Sequence, residues 1–329
     1  MKAFRCRVCD NALHFENSVC VVCGSALGFS RAERAIVPVV DGRYVDSAGL
    51  VWHVCANLNL SGCTWLAEVA GAQCSSCDLT RTRPSDDDLV GLENFPAAEA
   101  AKRHLLVELD TLGFEVVGKD VDPEQGIAFD LLSSVDENVV IGHEDGVITI
   151  DLAESDDAYR EKIRARLSEP YRTMLGHFRH EFGHYAEWQY VRGADRMNRC
   201  RELFGDESKD YQEELNRHYA EGPPDGWEQS FISTYATMHP FEDFAETWSH
   251  YLHICDTIET AREYGLAAIG GLDAFSSFRD VVTGVWVPLS ISLNQMNRSM
   301  GKDDVYPFVI PGPVLDKLEF VASLSPGFD

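Results

Sequence analysis

In the segment AAEAAKRHLLVELDTLG the apolar residues Ala101, Leu105, Leu109 and Leu112 recur at helical spacing and Gly113 supplies a stop, which predicts a helix. Two strand-like runs follow, IAFDLLSSV and VVIGHEDGVITIDLAE, the second folding back through a turn at His143–Gly146. A long helical pattern then extends from about Ser155 to Val191, with a break near Pro170. EGPPDGW, around Pro223 and Pro224, reads as a loop, and Pro240 suits the first turn of another helix. The remainder reads as helices with a loop over GKDDVYPFVIPGP. Ahead of the first helix the polar stretch TRTRPSDDDLVGLENFP marks a change of composition, and residues 81–95 read as a linker.

Composition sharpens this division. A chain of 329 residues, 45% hydrophobic and 25% charged, is ordinary for a globular protein, but 28 Lys+Arg against 54 Asp+Glu give a formal charge of −26. That charge repels phosphates and anionic lipid, which excludes nonspecific nucleic-acid binding and docking on acidic membranes. Residues 1–90 carry 8 basic and 10 acidic side chains, a net of −2; residues 91–329 carry 20 and 44, a net of −24. Eight of the ten cysteines lie in the first 77 residues. The start, MKAFRCRVCD, has no apolar core of a signal peptide, and no stretch reaches the roughly 18–20 apolar residues of a membrane span. A cytoplasmic protein is expected, and there clustered cysteines point to metal rather than disulfides.

The cysteines form two sets. Cys6-x2-Cys9-x10-Cys20-x2-Cys23 contains two knuckles that can aim four thiolates at one tetrahedral zinc ion. Cys9, Cys20 and Cys23 recur 54 residues later as Cys63, Cys74 and Cys77, with Cys55 as a displaced opening ligand. The spacing predicts two tandem zinc ribbons, residues 1–30 and 31–80, each stapled by a structural ion. Two alternatives stay open: His53 in place of Cys55, and knuckles paired across the two ribbons. With no basic excess, a folding or protein-docking role is favoured over nucleic-acid binding.

The strongest chemical signal is His180-Glu181-Phe182-Gly183-His184. On a helix His180 and His184 share a face and can reach one metal, while Glu181 can reach a water bound to it. A catalytic zinc needs a third protein ligand. STYATMHPFEDFAETWSHYL offers Glu242 and Glu246, one turn apart among Phe241, Phe244, Ala245 and Trp248, and buried carboxylates require a cation. One of the two can bind the ion while the other accepts a hydrogen bond from a ligand histidine.

HEFGH followed by YATMHPFEDFAE resembles the zincin metallopeptidases of the lethal-factor type, in which a tyrosine precedes the glutamate ligand by seven residues. The resemblance implies Glu242 as third ligand, Glu246 as the carboxylate behind a ligand histidine, and Tyr235 as a hydrogen-bond donor to the transition state. A closer likeness covers nearly the whole chain. GHFRHEFGHY, HYAEGPPDGW, HPFEDFAETWSHYLHICDTIETA and MNRSMG with YPFV look like the bacterial zinc-binding metallopeptidases that carry a Cys-rich zinc-ribbon region before a zincin domain. One departure, in the HYAEW stretch, lies outside the ligands.

These readings imply an α+β fold: a mainly helical zincin-like domain at residues 96–329 with a small antiparallel sheet over the HExxH helix, preceded by the two ribbons. The expected chemistry is hydrolysis of a peptide or protein substrate, with Glu181 as general base and three zinc ions in all, one catalytic and two structural. A zinc-ribbon scaffold with little activity, or a zinc amidase or isopeptidase, are the alternatives. GVITIDLAE is either an exposed edge on which substrate could lie or an ordinary core strand. His177, one turn before His180, is either a contact near the site or structural. His250 and His253 read as structural, His239 as a helix-start residue, and Arg179 as a partner for acidic neighbours. Cys200 and Cys255 read as buried thiols, and Trp188, Tyr190 and Trp248 as core. The linker is long enough for the ribbons to cover the cleft.

Overall fold

The structure of the chain, a computed structural model, describes residues 2–135, 139–156, 159–160, 173–268 and 270–326. These form two compact units, one of residues up to 110 with 116–160 and 173–175, the other of residues 111–115 with 176–326. The fold is α+β, mainly helical, with four small sheets among the described residues.

In the first unit the cysteines sit on short hairpins. β1 (Phe4–Arg5) pairs antiparallel with β2 (Ala12–Leu13), and β3 (Leu27–Ser30) with β4 (Ala35–Pro38). β5 (Arg43–Val45), β6 (Val51–Val54) and β7 (Leu66–Ala67) form an antiparallel sheet. Strands this short need additional support. Part of it is aromatic: Phe29 packs 5.2 Å from Phe15 and 5.1 Å from Trp65, centroid to centroid. The Phe29 amide also donates to the Thr64 carbonyl at 2.8 Å, so the two cysteine-bearing segments share one core, and the boundary drawn at residue 30 cuts through the β3–β4 hairpin. Between Cys55 and Cys63 lies a single helical turn, α1 (Leu58–Ser61); Gly62, at φ 65°, turns the chain back to Cys63.

The segment expected as a linker is structured. It contains part of β8 (Thr80–Thr82) and the first residues of α2 (Leu89–Leu112). The acidic run is a helix start, because Asp88 Oδ1 accepts the Gly91 amide at 2.8 Å. α2 buries Phe95, Ala98, Leu105, Leu106 and Leu109. β8, β9 (Ala128–Leu132), β10 (Gly142–Glu144) and β11 (Val147–Asp151) form one sheet in the order β10-β11-β9-β8. β10 and β11 are antiparallel through Asp145 and Gly146, both at positive φ as a two-residue hairpin turn requires. β9 is parallel to both β11 and β8, so the sheet expected to be antiparallel is mixed: the chain reverses at β10 and runs forward again in β11. β11 lies between β10 and β9 with Ile148 and Ile150 fully buried, which makes GVITIDLAE a core strand rather than an edge.

The second unit holds α3 (Met174–Tyr190) from Gly176 onward, α4 (Ala194–Phe204), α5 (Tyr211–Glu221), α6 (Pro240–Glu263), α7 (Phe278–Val281), α8 (Val287–Ser299) and α9 (Gly312–Ala322). The break expected near Pro170 lies outside the described residues. α6 begins at Pro240 as its sequence predicts, with the His239 side chain accepting the Phe241 amide. It buries Phe244, Ala245, Trp248, Tyr251, Leu252 and Ile254, which makes it the unit's central helix. Among the described residues no helix is long and apolar enough to cross a membrane.

Candidate metal centres

α3 places His180 and His184 one turn apart with ring centroids 4.9 Å from each other. What brings α6 to them is Gly183. A Cβ at that position would lie 2.8 Å from Ala245 Cα and 3.1 Å from its carbonyl oxygen, so the two helices meet backbone to backbone. One turn before Ala245, Glu242 then projects onto the histidines. Its Oε2 faces His180 Nε2 at 2.9 Å and His184 Nε2 at 3.6 Å. Zinc with ~2.0–2.1 Å bonds to tetrahedral ligands sets those ligands about 3.3 Å apart, within this range. Donor atoms of all three side chains lie within 4.8 Å of one another. His177, half-buried on α3, is not among them.

The surrounding groups orient this set. His180 Nδ1 donates to Glu246 Oε1 at 2.8 Å, which fixes the ring with Nε2 toward Glu242. Ser233 donates to the other Glu246 oxygen at 2.6 Å. Burial alone would lower the His180 pKa, but hydrogen bonds and charge from Glu242 and Glu246 hold it well above the usual imidazole range. Burial would raise Glu242, but His184 and His180 hold it well below the ordinary carboxylate range. The site is thus electrostatically built for a cation next to these carboxylates. Glu181 is buried, and its Oε2 has no hydrogen-bond partner among the described residues. The same is true of His184 Nδ1, whose ring instead stacks on Phe241 at 4.2 Å. An unpaired buried carboxylate oxygen beside a two-histidine, one-carboxylate set fits a site that takes a metal ion and a water.

Tyr235, on a short 3-10 turn, has its ring 5.9 Å from that of His180. Burial and the Glu242 charge push its phenol far above the ordinary range, so it stays a donor. Two contacts have no counterpart in the sequence reading. Tyr211, opening α5, donates to Glu242 Oε1 at 2.8 Å, and Ser233 holds Glu246. Tyr211 lies outside the quoted motifs, and Ser233, which opens STYATMHPFEDFAETWSHYL, carries no signal of its own there; both contacts come from tertiary packing. The residues expected to be structural are so placed. His250 is hydrogen-bonded to the Tyr306 hydroxyl at 2.8 Å, and burial pushes its pKa down to about 4. Arg179 pairs with Asp256 at 3.3 Å, and Cys200 and Cys255 are buried.

In the first unit each cysteine set closes on itself. Sγ–Sγ distances are 3.7 Å for Cys6–Cys23 and 3.6 Å for Cys9–Cys20, then 3.7 Å for Cys55–Cys77 and 3.5 Å for Cys63–Cys74. A tetrahedron of ~2.3 Å zinc–sulfur bonds has an edge of about 3.8 Å. These distances fit it and exclude disulfides. The knuckles pair within each set, and His53 is not part of the second group. Amides of Asn57 and Cys74 point at Cys55 Sγ, at 3.4 and 3.3 Å, as donors to a thiolate.

Two family models match the chain. A family model described as "Putative zinc-binding metallo-peptidase" matches residues 91–324, and one described as a zinc-ribbon domain matches residues 3–88. The chain belongs to this zinc-binding metallopeptidase family. Similar relatives are an uncharacterized protein of Mycobacterium bovis and uncharacterized proteins of two Mycobacterium tuberculosis strains. Each is 50% identical over 332 residues, covering 98% of this chain and 94% of the relative. No solved structure matches. Membership in the family assigns zinc binding to the chain in general terms, and each of the three groups above offers donor atoms for it.

Proposed function

We propose that the protein is a zinc-dependent hydrolase that cleaves peptide bonds, with one catalytic and two structural zinc ions. The observation that carries this reading is the His180–His184–Glu242 set with Glu181 buried beside it and Glu246 behind His180. His180, His184 and Glu242 would hold the ion, which would supply a water of lowered pKa, near ~7, and a Lewis acid for a carbonyl oxygen. Glu181 takes the proton of the attacking water and delivers it to the leaving nitrogen. Tyr235, kept protonated by its surroundings, donates to the carbonyl oxygen as charge develops there, a contact worth ~2.7–4 kcal/mol in comparable sites. Glu246, itself held by Ser233, orients the His180 ring. The net charge of −24 over residues 91–329 favours neutral or cationic peptides and disfavours nucleic acid and anionic membranes. The ribbons serve folding and protein docking, and their thiols suit a reducing, cytoplasmic setting.

The test is Glu181→Gln. It is expected to keep three zinc ions per chain and to reduce peptide turnover by at least ~10². Turnover equal to that of an active unaltered protein overturns the assignment of Glu181, whereas no cleavage by either form in a proteomic screen favours a scaffold.

A further inference from the structure

Glu242 offers two oxygens, and the structure divides them. Oε2 faces both imidazoles, while Oε1 accepts the Tyr211 hydroxyl at 2.8 Å. The phenol reaches this buried carboxylate from a helix that buries none of its own residues, and Tyr211 itself is 41% exposed. Its position is nevertheless fixed from two sides. Asp210 caps α5 by accepting the Glu213 amide at 2.8 Å. The Tyr211 ring lies 5.4 Å from that of His239, whose Nε2 contacts the Lys209 carbonyl at 3.2 Å. His239 caps α6, so the start of α5 is tied to the start of the helix that carries Glu242.

We propose that Tyr211 is a positioning residue that keeps Glu242 a one-oxygen ligand; this rests on the metal-site reading above. A carboxylate with a free second oxygen can swing to offer both to a cation. With Oε1 engaged by a phenol it offers only Oε2, and a coordination position is left for water, as a catalytic site requires. Loss of the hydroxyl has two consequences. Oε1 becomes a buried acceptor without a partner, and the carboxylate is free to rotate.

The experiment uses the full chain with Tyr211→Phe, which keeps the ring, and Tyr211→Ala, which removes it. Because α5 buries no residue, both variants are expected to keep the melting temperature of the parent within a few degrees. Zinc affinity is read by competition with a chromophoric chelator, and the ligand field by visible absorption of the cobalt-substituted protein, whose intensity falls as coordination number rises. The Phe variant is expected to bind its weakest zinc about 10- to 100-fold less tightly, to absorb less in the cobalt form, and to lose kcat more than KM. Affinity and spectrum unchanged in Phe overturn the proposal, whether Ala is altered (a packing role) or not. An unaltered protein that binds only the two ribbon ions overturns the metal-site reading itself, an outcome distinct from three ions bound with no response to the Phe change.

Discussion

Glu187 lies three residues beyond His184 on α3, yet nothing in the proposed chemistry uses it. It is buried; its Oε2 has no partner among the described residues, and its Oε1 has only the Cys200 thiol at 3.9 Å. Burial, reinforced by Glu207, Glu242 and Asp243, pushes its pKa up to about 8. The unfolded chain releases this proton near pH ~4.3. Between the two values the folded state therefore holds a proton that the unfolded state has lost, and stability falls as pH rises across that window. At about 1.4 kcal/mol per unit, the effect amounts to a few kcal/mol by pH 8. Glu187→Gln keeps the shape and removes the titration. Its melting temperature is expected to match the parent near pH 5 and to exceed it progressively toward pH 8. A gap that stays constant over that range rules out Glu187 as the source. Asp243, equally buried, contrasts with it: burial raises its pKa to about 7, but Lys317 Nζ sits 2.6 Å away, so its charge has a partner.

The crossing of α3 and α6 brings His180, His184 and Glu242 together, and Gly183 makes the crossing possible. Gly183→Ala places a methyl against Ala245 backbone, which cannot move like a side-chain tip. Overpacking of this kind costs roughly 1–3 kcal/mol, and the helices can relieve it only by separating, which withdraws Glu242 from the histidines. The variant is expected to lose about one zinc ion per chain and a few degrees of melting temperature. Full zinc content at unchanged stability would show that the contact does not hold the site together. The contrast between what the sequence displayed and what it concealed lies at this level. His180, Glu181 and His184, and Glu242 with Glu246, were legible because each group follows from the pitch of a single helix. The cysteine knuckles were legible for the same local reason. Tyr211 and Ser233 were not, since their contacts depend on how separate elements pack. The start of α2 was hidden because Asp88 as a cap and Asp88 in a linker have the same composition. The mixed sheet was hidden because strand order is non-local: β10 and β11 form a readable hairpin, but nothing in their sequence states that β9 lies on the other side.

At the scale of the molecule, the nearly neutral cysteine-rich start and the acidic remainder do not divide at a linker. α2, whose residues lie almost wholly beyond position 90, belongs to the unit that contains the ribbons, and its buried charges are paired there. Lys102 is fully buried; its Nζ donates to Glu99 Oε1 at 2.7 Å and to the Thr80 hydroxyl, and sits 5.6 Å from the Phe129 ring centroid. Arg103 is paired with Glu16, and Arg31 makes a two-point pair with Asp110 at 2.7 Å. Removing residues 1–90 to ask whether the ribbons act as a lid therefore does more than lift a lid. It deletes β8, takes the Asp88 cap and the first two residues of α2, and leaves Arg103 and Lys102 without Glu16 and Thr80. Stripping one partner from a buried ion pair costs roughly 3–5 kcal/mol, a large fraction of the stability of a domain. The truncated chain is expected to lose α2 helicity by circular dichroism and to aggregate. A soluble truncated chain with native helicity and raised peptidase activity would instead establish the ribbons as a cover. The question is better put to the full chain, one metal group at a time. Cys74→Ser and His184→Ala are each expected to lower the zinc content from about three ions to about two, but with different consequences. The serine variant should melt earlier, because the ion staples a small core; the alanine variant should keep its fold and lose turnover. If native mass spectrometry finds two ions in the unaltered protein and two in His184→Ala, the third centre does not exist and the hydrolase reading falls with it.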